Sequence, residues 1–567
     1  MSILSMEVQS EYDVIVVGTG AAGMSSAIVA ANEGLKVLIV EKEAFFGGTS
    51  AISGGGLWIP NTKQQQARGI KDSLDDAVNY LEQTVGAQTS KKKQRTFLEK
   101  GAEMIEYMEA NTELKLQPYD CYPDYYPKLP GGLNDGRGLE AEEINARALG
   151  DDFFKLKPPL PMCLLMGGML VGKSDIMNMQ NCATSWPAFK YTVKRFWDYF
   201  KDVKGRKYYG RGTSLNSGNA LIARLFVSLS NLSVPLKLNA KVTKLLQNND
   251  AISGVTVIID GQEKTIKAKK GVVLACGGFP GSSTLRQEYF PQPSTPLWTA
   301  APQTNTGDGI IMGRNINAKL AGMKNAWWMP VSLLDNKEGQ VQQYPHVIDR
   351  AKPGVIVINN KGKRFVNEAV SYLDFVKAMY KDNDEKSAIP SFMIGDSDVV
   401  NKFGLGFALP MISSKKELIK KGYLFKSDTI ADLADKLGID ANGLEQTIAS
   451  YNQDAEKGVD TEFSKGDNEY DTHFGAKTKY PNPCMAPLKK GPFYGIKIYP
   501  GDIGTSGGLQ TNEFSQVLDI DDKPISGLYA AGNDSASVMG DTYPGPGSTL
   551  GPALTFGYIA GRHLAKQ

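Results

Sequence analysis

The sequence predicts an α/β protein, with α+β elements, in which a domain built on a parallel sheet is interrupted by an inserted second domain. Near the N-terminus, a short β-branched run at Tyr12–Val17 leads into a glycine-rich turn and then a stretch of small residues. Similar strand-and-glycine segments recur at 269–279 and 527–534. With 567 residues, the chain is also too long for one simple core. The chain is therefore expected to leave its first domain and return to it.

The bulk composition is that of an ordinary globular protein and excludes several classes of partner. Hydrophobic residues make up 41% and charged residues 22% of the chain. The 63 basic and 61 acidic residues leave a net charge of +2, so no global field attracts nucleic acid and we expect no nucleic-acid partner. No apolar run is long enough to span a bilayer, and Met1–Glu11 lacks the pattern of a signal peptide.

The cysteines and histidines show no metal-binding or disulfide pattern. The five cysteines are scattered and never in a CxxC spacing, and the three histidines are far apart in the chain. We therefore expect no metal site, no disulfide framework and a cytoplasmic location.

The first glycine-rich turn predicts a dinucleotide site. The strand Tyr12–Val17 runs into Gly18-Thr19-Gly20-Ala21-Ala22-Gly23, and a second strand, Val37–Val40, ends at an acidic residue. The glycines permit close approach to a diphosphate, the helix start faces its charge, and the acidic side chain can bind a ribose. The expected contacts in this region are Gly18, Gly20, Ala21, Ala22, Gly23, Glu41 and Lys42.

A second glycine-rich loop selects FAD over NAD. The runs Phe46–Ser50 and Ile52–Pro60 carry glycines and hydroxyls that a mobile nicotinamide does not need but a bound flavin can use. No second GxGxxG appears, so we expect no separate NAD(P)H domain. The loop Gly47–Gly56 contains no histidine, which favours non-covalent FAD. The expected contacts in the loop are Gly48, Thr49, Ser50, Ser53, Gly55 and Gly56.

The remaining segments complete a Rossmann-like FAD-binding domain of the glutathione-reductase type. We assign residues 1–282 and 491–567 to this domain and 283–490 to an inserted catalytic domain. Helices are expected over 71–115, and the strands at 236–238 and 255–259 are expected to form part of a β-meander. Asn305–Gly309 is expected to open a helix. Further expected cofactor contacts are Val242, Ala275, Gly277, Asp308, Gly532, Asn533, Ser548 and Leu550.

Three more segments are distinctive: Tyr122–Pro127 with Pro130–Gly132, Arg364–Tyr372, and Gly540–Ala553. Together with the Ser53–Pro60 run, they resemble the 3-ketosteroid Δ1-dehydrogenases of the flavoprotein family that includes fumarate reductases. The resemblance covers nearly the whole chain. It implies removal of the C1 and C2 hydrogens from the A ring of a 3-keto steroid, with hydride transfer from C1 to flavin N5.

The resemblance also implies roles for individual residues. Tyr543 and the backbone N–H of Gly547 would bind the 3-keto oxygen, Tyr372 would be the base at C2, and Tyr125 would support that base. Tyr122 and Tyr126 lie beside Tyr125 and leave this last assignment open.

The chemistry of these residues agrees with such roles. In Tyr543–Gly547 the two prolines have no N–H, so the only backbone donors of the loop after Tyr543 are Gly545 and Gly547, and the helix-like Ser548–Ala565 follows. A free tyrosine has a pKa of about 10, so a tyrosine base needs donors aimed at it, and activity should rise towards alkaline pH. An apolar substrate would fit a pocket lined by Trp327–Pro330 and Phe290–Pro291, although the tryptophan pair fits an ordinary core equally well.

Other functions stay open at this point. One is a related flavin dehydrogenase that acts at another bond of a ketosteroid or a cyclic ketone, such as the Δ4 position. A fumarate-type reductase is less favoured because no histidine lies in the glycine-rich loops. A flavin-binding redox sensor or scaffold without turnover is a third class, and the tyrosine and glycine pattern argues against it.

Residues 140–210 are expected to form a helical insertion. Phe189, Phe196, Trp197 and Phe200 recur at helical spacing among basic residues. The pattern favours a helix that packs its aromatic face on its own protein, with peripheral contact at the inner membrane as the alternative. The expected partners are a steroid substrate and an electron acceptor, either a quinone or a carrier.

Overall fold

The computed structural model describes residues 2–182, 185–335, 341–383, 386–410 and 412–567. Its strands are β1 Glu11–Val17, β2 Val37–Val40, β3 Leu57–Trp58, β4 Leu116–Pro118, β5 Gly138–Ala141, β6 Ile144–Asn145, β7 Leu164–Leu165, β8 Met169–Leu170, β9 Ser214–Leu215, β10 Leu236–Lys237, β11 Ala240–Asn248, β12 Ala251–Ile259, β13 Gln262–Leu274, β14 Leu320–Ala321, β15 Ala326–Asp335, β16 Val341–Pro345, β17 Ile356–Ile358, β18 Ser391–Gly395, β19 Phe425–Ser427, β20 Phe493–Thr505, β21 Gly508–Leu509, β22 Gln516–Leu518 and β23 Pro524–Ala530.

The α-helices connect and cover these strands. They are α1 Ala21–Asn32, α2 Gly48–Ile52, α3 Lys63–Ala67, α4 Leu74–Thr84, α5 Lys91–Asn111, α6 Lys173–Asn181, α7 Trp186–Lys201, α8 Val203–Tyr209, α9 Ser217–Asn231, α10 Ser283–Tyr289, α11 Asp308–Arg314, α12 Tyr372–Lys381, α13 Ser397–Lys402, α14 Lys415–Lys420, α15 Ile430–Leu437, α16 Ala441–Lys457, α17 Glu469–His473 and α18 Leu550–Lys566. The α/β class expected from the sequence is confirmed.

The first layer is a parallel sheet in the order β10-β2-β1-β13-β23. All four residues of β2 are buried, as expected for a strand covered on both faces. The two strands at 269–274 and 524–530, far apart in the chain, pair side by side in register from Val272 to Leu274. The carboxyl ends of β1 and β13 therefore lie at one edge, where ligands bind in open α/β sheets.

An antiparallel meander, β11-β12-β13, extends this sheet. The expectation for 255–259 holds, because these residues form the second half of β12. The expectation for 236–238 is wrong: Leu236–Lys237 pairs parallel to β2 at the opposite edge of the sheet. An alternating pattern over so short a segment does not show whether the neighbouring strand is parallel or antiparallel.

The part of the chain between β13 and β22 forms a second, antiparallel sheet. Its order is β16-β15-β20-β18-β17, with β19 also paired to β20. Helix α12 packs on β15, and the cluster that contains Phe365, Phe375 and Met393 belongs to the main hydrophobic core.

The C-terminal helix α18 packs against the first helix α1. Glycines allow the close approach, since a Cβ at Gly557 would lie 2.5 Å from the Ala22 carbonyl oxygen. The Ser25 hydroxyl donates to the Leu554 carbonyl at 2.9 Å across the same contact. The two helices are thereby held together, and both of their N-terminal ends reach one cavity.

The segment 140–210 is helical in its second half, with α6, α7 and α8 after a short hairpin of β7 and β8. The expectation that the aromatic face of α7 packs on the protein is wrong for three of its residues. Phe189, Trp197 and Phe200 are exposed, Trp197 by 67%, whereas Phe196 packs on the small cluster around Tyr199. Among the described residues, no helix combines the length and apolar character needed to cross a membrane.

Candidate active site

A cavity of about 470 Å³ lies at the carboxyl edge of the parallel sheet and reaches the second sheet. Its wall is formed by the first glycine-rich turn, the loop 48–56, the tyrosine-rich segment 119–125 and the start of α18. Most sequence-predicted residues meet in this one cavity although they come from distant parts of the chain.

The first turn places an open helix end in the cavity wall. Gly20 is the N-cap of α1 and offers no side-chain cap, while Ala21 and Ala22 line the cavity. Gly18 has a φ of +108°, and a Cβ there would lie 2.2 Å from the Ala275 carbonyl oxygen. Only glycine fits at this crossing of β1 and β13. The Ala21 N–H donates to the Ser50 hydroxyl at 3.0 Å, and the other N–H groups at this helix start suit a diphosphate.

The acidic residue after β2 is held by the same turn. Glu41 accepts hydrogen bonds from the backbone N–H and the hydroxyl of Thr19, at 3.2 and 2.6 Å. Burial raises the pKa of Glu41, and the Thr19 hydroxyl opposes the shift. Beside it, Lys42 forms an ion pair of 2.7 Å with Asp308 at the start of α11. All three charged residues line the cavity.

The structure places most of the predicted cofactor contacts in the wall. Those that line the cavity are Gly18, Gly20, Ala21, Ala22, Glu41, Lys42, Gly48, Thr49, Ser50, Ser53, Gly55, Gly56, Val242, Ala275, Gly277, Asp308, Gly532, Asn533 and Leu550. Gly23 and Ser548 lie behind it. A Cβ at Gly23 would lie 2.1 Å from the Gly18 carbonyl oxygen, and the Ser548 hydroxyl donates to the Gly545 carbonyl. Their roles are to allow close packing and to brace a loop.

The donor set of this half of the cavity fits FAD. The uncapped start of α1 can receive the diphosphate, the Glu41 carboxylate lies where the second strand ends, and glycine walls leave room for a flat ring. The start of α18, also without a side-chain cap, opens on the same space. The described residues contain no cluster of three or more histidine, cysteine or acidic side chains able to hold a metal ion.

Two predicted catalytic residues are in direct contact. The Tyr125 hydroxyl donates to the Tyr372 hydroxyl at 3.1 Å. Tyr372 is the first residue of α12, whose N-cap Ser371 accepts from the backbone N–H of Asp374. Tyr125 is held through its own backbone N–H, which donates to the Pro544 carbonyl at 2.8 Å. The helix start and the loop thus determine the distance between the two hydroxyls.

Tyr543 completes a cluster of three rings. Its ring stacks on Tyr125 at 5.3 Å and meets Tyr372 edge-on at 4.9 Å. On another side, Trp327 packs edge-on against it at 5.4 Å. All three tyrosines are buried in the protein and line the cavity. Packing on several sides restricts each ring to one orientation.

The neighbouring tyrosines, Tyr122 and Tyr126, have other surroundings than Tyr125. The Tyr126 hydroxyl donates to Asp374 at 2.7 Å, and this residue does not line the cavity. Tyr122 does line it, with its ring 6.3 Å from that of Tyr125. Of the three candidates left open by the sequence, Tyr125 is the one whose hydroxyl donates to Tyr372.

After Tyr543, the loop Tyr543–Gly547 has two backbone donors, because Pro544 and Pro546 carry no N–H. The Gly545 N–H donates to the Ser548 hydroxyl at 3.0 Å, which leaves the Gly547 N–H. Gly547 has a φ of +101°, and a Cβ there would lie 2.4 Å from the Gly56 carbonyl carbon. The Gly547 N–H is directed at the Tyr543 hydroxyl, and this hydrogen bond opposes the rise in the pKa of Tyr543. The two donors therefore converge, as a two-donor oxyanion hole requires.

Burial sets the ionisation of the tyrosine cluster. It raises the pKa of Tyr372 well above the ordinary value, and the hydrogen bond from Tyr125 opposes that rise. The pKa of Tyr125 is also well above its usual range because of burial and neighbouring phenols. The pKa of Tyr543 is raised by burial, against the Thr549 and Tyr372 hydroxyls. All three are neutral donors near neutral pH, and Tyr372 is the one that receives a bond from Tyr125.

A buried ion network supports the loop before Tyr125. Asp124 accepts from the indole of Trp58 and from Arg137, both at 2.7 Å. Arg137 also pairs with Asp72 at 2.6 Å, and all four side chains are almost fully buried. The sequence did not predict this network, since no local motif links positions so far apart.

The cavity also has wall residues that were not predicted from the sequence. Tyr119 shares the tyrosine-rich run with Tyr125, which is a signal that could have identified it. The others carry no local signal, and they include Lys173, Asn219, Tyr344 and Phe474.

The expectation for the tryptophan pair is wrong in detail. Trp328 packs on Phe290, 5.0 Å between ring centroids, and neither of these residues lines the cavity. The indole of Trp327 donates to Asn533 at 3.0 Å from behind Tyr543. Alternation along β15 explains this, since it is the neighbouring Met329 that reaches the cavity.

Comparison with known proteins identifies relatives over nearly the whole chain. The sequence profile of the family described as FAD binding domain matches residues 13–550. The chain is 36% identical to the 3-oxosteroid 1-dehydrogenase of Mycobacterium tuberculosis strain H37Rv, over 98% of this chain and 99% of the relative. It is 35% identical to the 4-oxocyclohex-2-ene-1-carboxylate 5-dehydrogenase of Sinomonas cyclohexanicum, over 98% and 94% of the two chains.

A solved structure is similar throughout. The 3-ketosteroid Δ1-dehydrogenase from Sterolibacterium denitrificans, crystallised with 1,4-androstadiene-3,17-dione, superimposes with a TM-score of 0.94. The two sequences are 39% identical, and the match covers 98% of this chain and 100% of that one.

Proposed function

The chain belongs to the FAD-binding flavoprotein family that includes the 3-oxosteroid 1-dehydrogenases, and from this we propose that it introduces the C1–C2 double bond into the A ring of a 3-ketosteroid. The observation that supports this most directly is the contact between Tyr125 and Tyr372 beside Tyr543, in the cavity that fits FAD. Relatives named for this activity align over nearly the full length.

Each residue has a defined task in this proposal. The Tyr543 hydroxyl and the Gly547 N–H bind the 3-keto oxygen and stabilise the negative charge that grows there as C2 loses its proton. Tyr372, as its phenolate, takes that proton, and Tyr125 donates a hydrogen bond that stabilises the phenolate. The C1–H and C2–H bonds break while the C1–C2 double bond forms. Bound FAD supplies the acceptor for the hydride that leaves C1.

We further propose that the flavin is held without a covalent bond. The loop Gly47–Gly56 contains neither histidine nor cysteine. Two cysteines line the cavity, and burial raises the pKa of Cys163 to about 11 and that of Cys276 well above its usual range. Both are therefore protonated and poor nucleophiles near neutral pH.

Anaerobic mixing with steroid tests the activity. Purified yellow holoenzyme is mixed with 4-androstene-3,17-dione without oxygen, and the flavin absorbance is followed. We expect the flavin to bleach and a 1,4-diene-3-one product to form. A flavin that stays oxidised with this and other 3-ketosteroids would reject the proposal.

A second candidate is dehydrogenation of a smaller cyclic ketone or of another bond of a steroid. The 35% identity to a dehydrogenase named for an oxocyclohexene carboxylate favours it. The tyrosine cluster recognises a ketone and an adjacent C–H, and it does not by itself define the rest of the ring system. Product identification by mass spectrometry and NMR after incubation with each ketone class separates the candidates, including a Δ4 product.

We also propose that the protein docks peripherally on an anionic membrane through α7. The exposed side chains of Phe189, Trp197 and Phe200 lie next to exposed lysines on the same and the following helix, Lys190, Lys194, Lys201 and Lys204. Aromatic side chains that insert at the headgroup level, flanked by basic residues, are typical of an interfacial helix. Apolar steroids and a quinone acceptor both concentrate in such a membrane. A soluble electron carrier is the alternative acceptor.

A further inference from the structure

Lys173 places an ammonium group in the cavity wall that has no hydrogen-bond partner among the described residues. It is the first residue of α6, and its side chain lines the cavity. The Nζ atom is buried and makes no hydrogen bond to any described residue. Burying a charged donor that lacks a partner costs free energy unless a bound ligand supplies the hydrogen-bond acceptor. The tyrosine mechanism gives this lysine no task.

Aromatic rings surround the ammonium group. Its Nζ lies 3.4 Å from the ring centroid of Tyr122, 5.1 Å from that of Tyr119 and 6.0 Å from that of Phe474. All three rings line the same cavity. Attraction to ring faces offsets only part of the lost hydration.

The charged neighbours of Lys173 act from a distance. Burial lowers the pKa of Lys173 to about 7, and carboxylates beyond hydrogen-bond reach oppose this. His473 stacks on Tyr122 from α17, and burial lowers the pKa of this imidazole to about 3, so it is neutral near pH 7. The other titratable groups around the lysine are Tyr119, Asp120, Cys121, Tyr122, Asp135 and Glu140.

We propose that Lys173 is the counter-ion for a carboxylate carried by the substrate, so that the enzyme also accepts cyclic keto acids. This inference rests on the proposed function, because the ketone of such a substrate would occupy the Tyr543 and Gly547 donors. Tyr122, the ring nearest Lys173, is also a ring neighbour of Tyr125. The lysine is therefore close to the reacting end of the cavity, which favours a short keto acid whose carboxylate is on the oxidised ring.

The electrostatics favour this class of ligand. A carboxylate at Nζ would supply the missing acceptor, add a charge-assisted hydrogen bond and return the pKa of Lys173 towards its ordinary range. An uncharged steroid would leave the ammonium unpaired or force it to lose its proton. Lys173 therefore discriminates between neutral and anionic ketones in one cavity.

The test compares one ring system with and without its charge. The probes are cyclohexanone 4-carboxylate and its methyl ester, each mixed anaerobically with wild-type holoenzyme, Lys173→Met and Lys173→Arg. We expect Lys173→Met to lower kcat/KM for the acid roughly 10- to 100-fold, mainly through KM, and to leave the ester unchanged. Lys173→Arg should restore much of the acid's affinity. Lys420→Met, which removes an exposed lysine far from the cavity wall, is the matched control.

The dependence of affinity on pH gives a second measurement. The dissociation constant of the acid, read from the flavin absorbance change on binding, should rise above about pH 7 in the wild type because the free ammonium loses its proton. In Lys173→Arg it should stay constant across the same range, since arginine keeps its proton.

Four outcomes are distinguishable. An unchanged ratio of acid to ester in Lys173→Met overturns the inference, and so does a variant with altered flavin content or flavin spectrum, which would assign the lysine to the cofactor. Wild-type enzyme reduced by 4-androstene-3,17-dione but not by the keto acid rejects the inference and leaves the proposed function standing. A steroid with a side-chain carboxylate, 3-oxochol-4-en-24-oic acid, is the third probe. Sensitivity to Lys173→Met with this steroid alone would reject the short keto acid in favour of a steroid acid.

Discussion

The hydroxyl of Tyr125 donates a hydrogen bond of 3.1 Å to the hydroxyl of Tyr372, although 247 residues separate them in the chain. The two rings meet nearly edge-on, at 84°. The donor comes from a loop tied to Pro544, and the acceptor comes from the start of α12 on the second sheet. In the proposed mechanism, stabilisation of the Tyr372 phenolate by Tyr125 therefore depends on how the two parts of the chain meet.

Removal of the Tyr372 hydroxyl should stop the chemistry and spare binding. For Tyr372→Phe we expect anaerobic flavin reduction by 4-androstene-3,17-dione to slow roughly 100- to 10,000-fold, the range for loss of a general base. Steroid affinity, read from the flavin spectrum, should change little. Tyr126→Phe is the matched control, since that hydroxyl binds Asp374 outside the cavity wall. A reduction rate equal to that of the wild type would remove Tyr372 from the role of base.

Flavin reduction should accelerate with pH. Burial raises the pKa of Tyr372, so its phenolate is the minority form at neutral pH and grows about tenfold per pH unit below that pKa. The bond from Tyr125 lowers the pKa of Tyr372, so Tyr125→Phe should move the rising limb to higher pH. Stopped-flow reduction rates from about pH 6 to 10 measure both. A rate that falls with pH, or a limb that does not move in Tyr125→Phe, would contradict this account.

Tyr543→Phe removes one of the two proposed oxyanion donors. The expected loss in the rate of flavin reduction is roughly 100- to 1,000-fold. Thr549→Val deletes only the hydroxyl that donates to Tyr543 at 3.4 Å and should have a much smaller effect. Single-turnover rates at saturating steroid measure the difference, with flavin content as the check on folding. Equal rates in Tyr543→Phe and wild type would mean that the 3-keto oxygen binds elsewhere.

The flavin should leave the unfolded chain. Acid precipitation of the holoenzyme is expected to release all of the yellow colour into the supernatant, because both cavity cysteines are protonated near neutral pH and the loop Gly47–Gly56 lacks a nucleophile. Absorbance of supernatant and pellet, with chromatography against an FAD standard, gives the result. Flavin that stays in the pellet would show a covalent bond.

Vesicle binding should depend on the exposed aromatic residues of α7. The double change Trp197→Ser and Phe200→Ser is expected to weaken co-sedimentation with phosphatidylserine-containing vesicles at least about tenfold, and added salt should weaken the wild type as well. Ile520→Ser, which alters a residue that is 68% exposed elsewhere, is the control. If the wild type instead forms dimers that the double change dissociates and binds no vesicles, α7 is a subunit interface.

The sequence alone predicted the parts of the site that local order controls. The turn at Gly18–Gly23, the loop Gly47–Gly56 and the glycine-rich strand ends occupy the expected places because their conformation depends on neighbours in the chain. The loop Tyr543–Gly547 could also be predicted, since its prolines have no N–H and so restrict the backbone hydrogen-bond donors that the loop can offer.

Only the tertiary structure decided which distant side chains meet. It showed that the hydroxyl of Tyr125 reaches Tyr372 and that of Tyr126 does not, because strand and loop paths determine direction. It buried Trp328 in the core and left Trp197 exposed. The spacing of these aromatic residues in the sequence is compatible with either environment. The tertiary structure also brought Lys173 into the cavity without a hydrogen-bond partner in the described part of the chain, since burial and hydrogen bonding depend on contacts between residues remote in sequence.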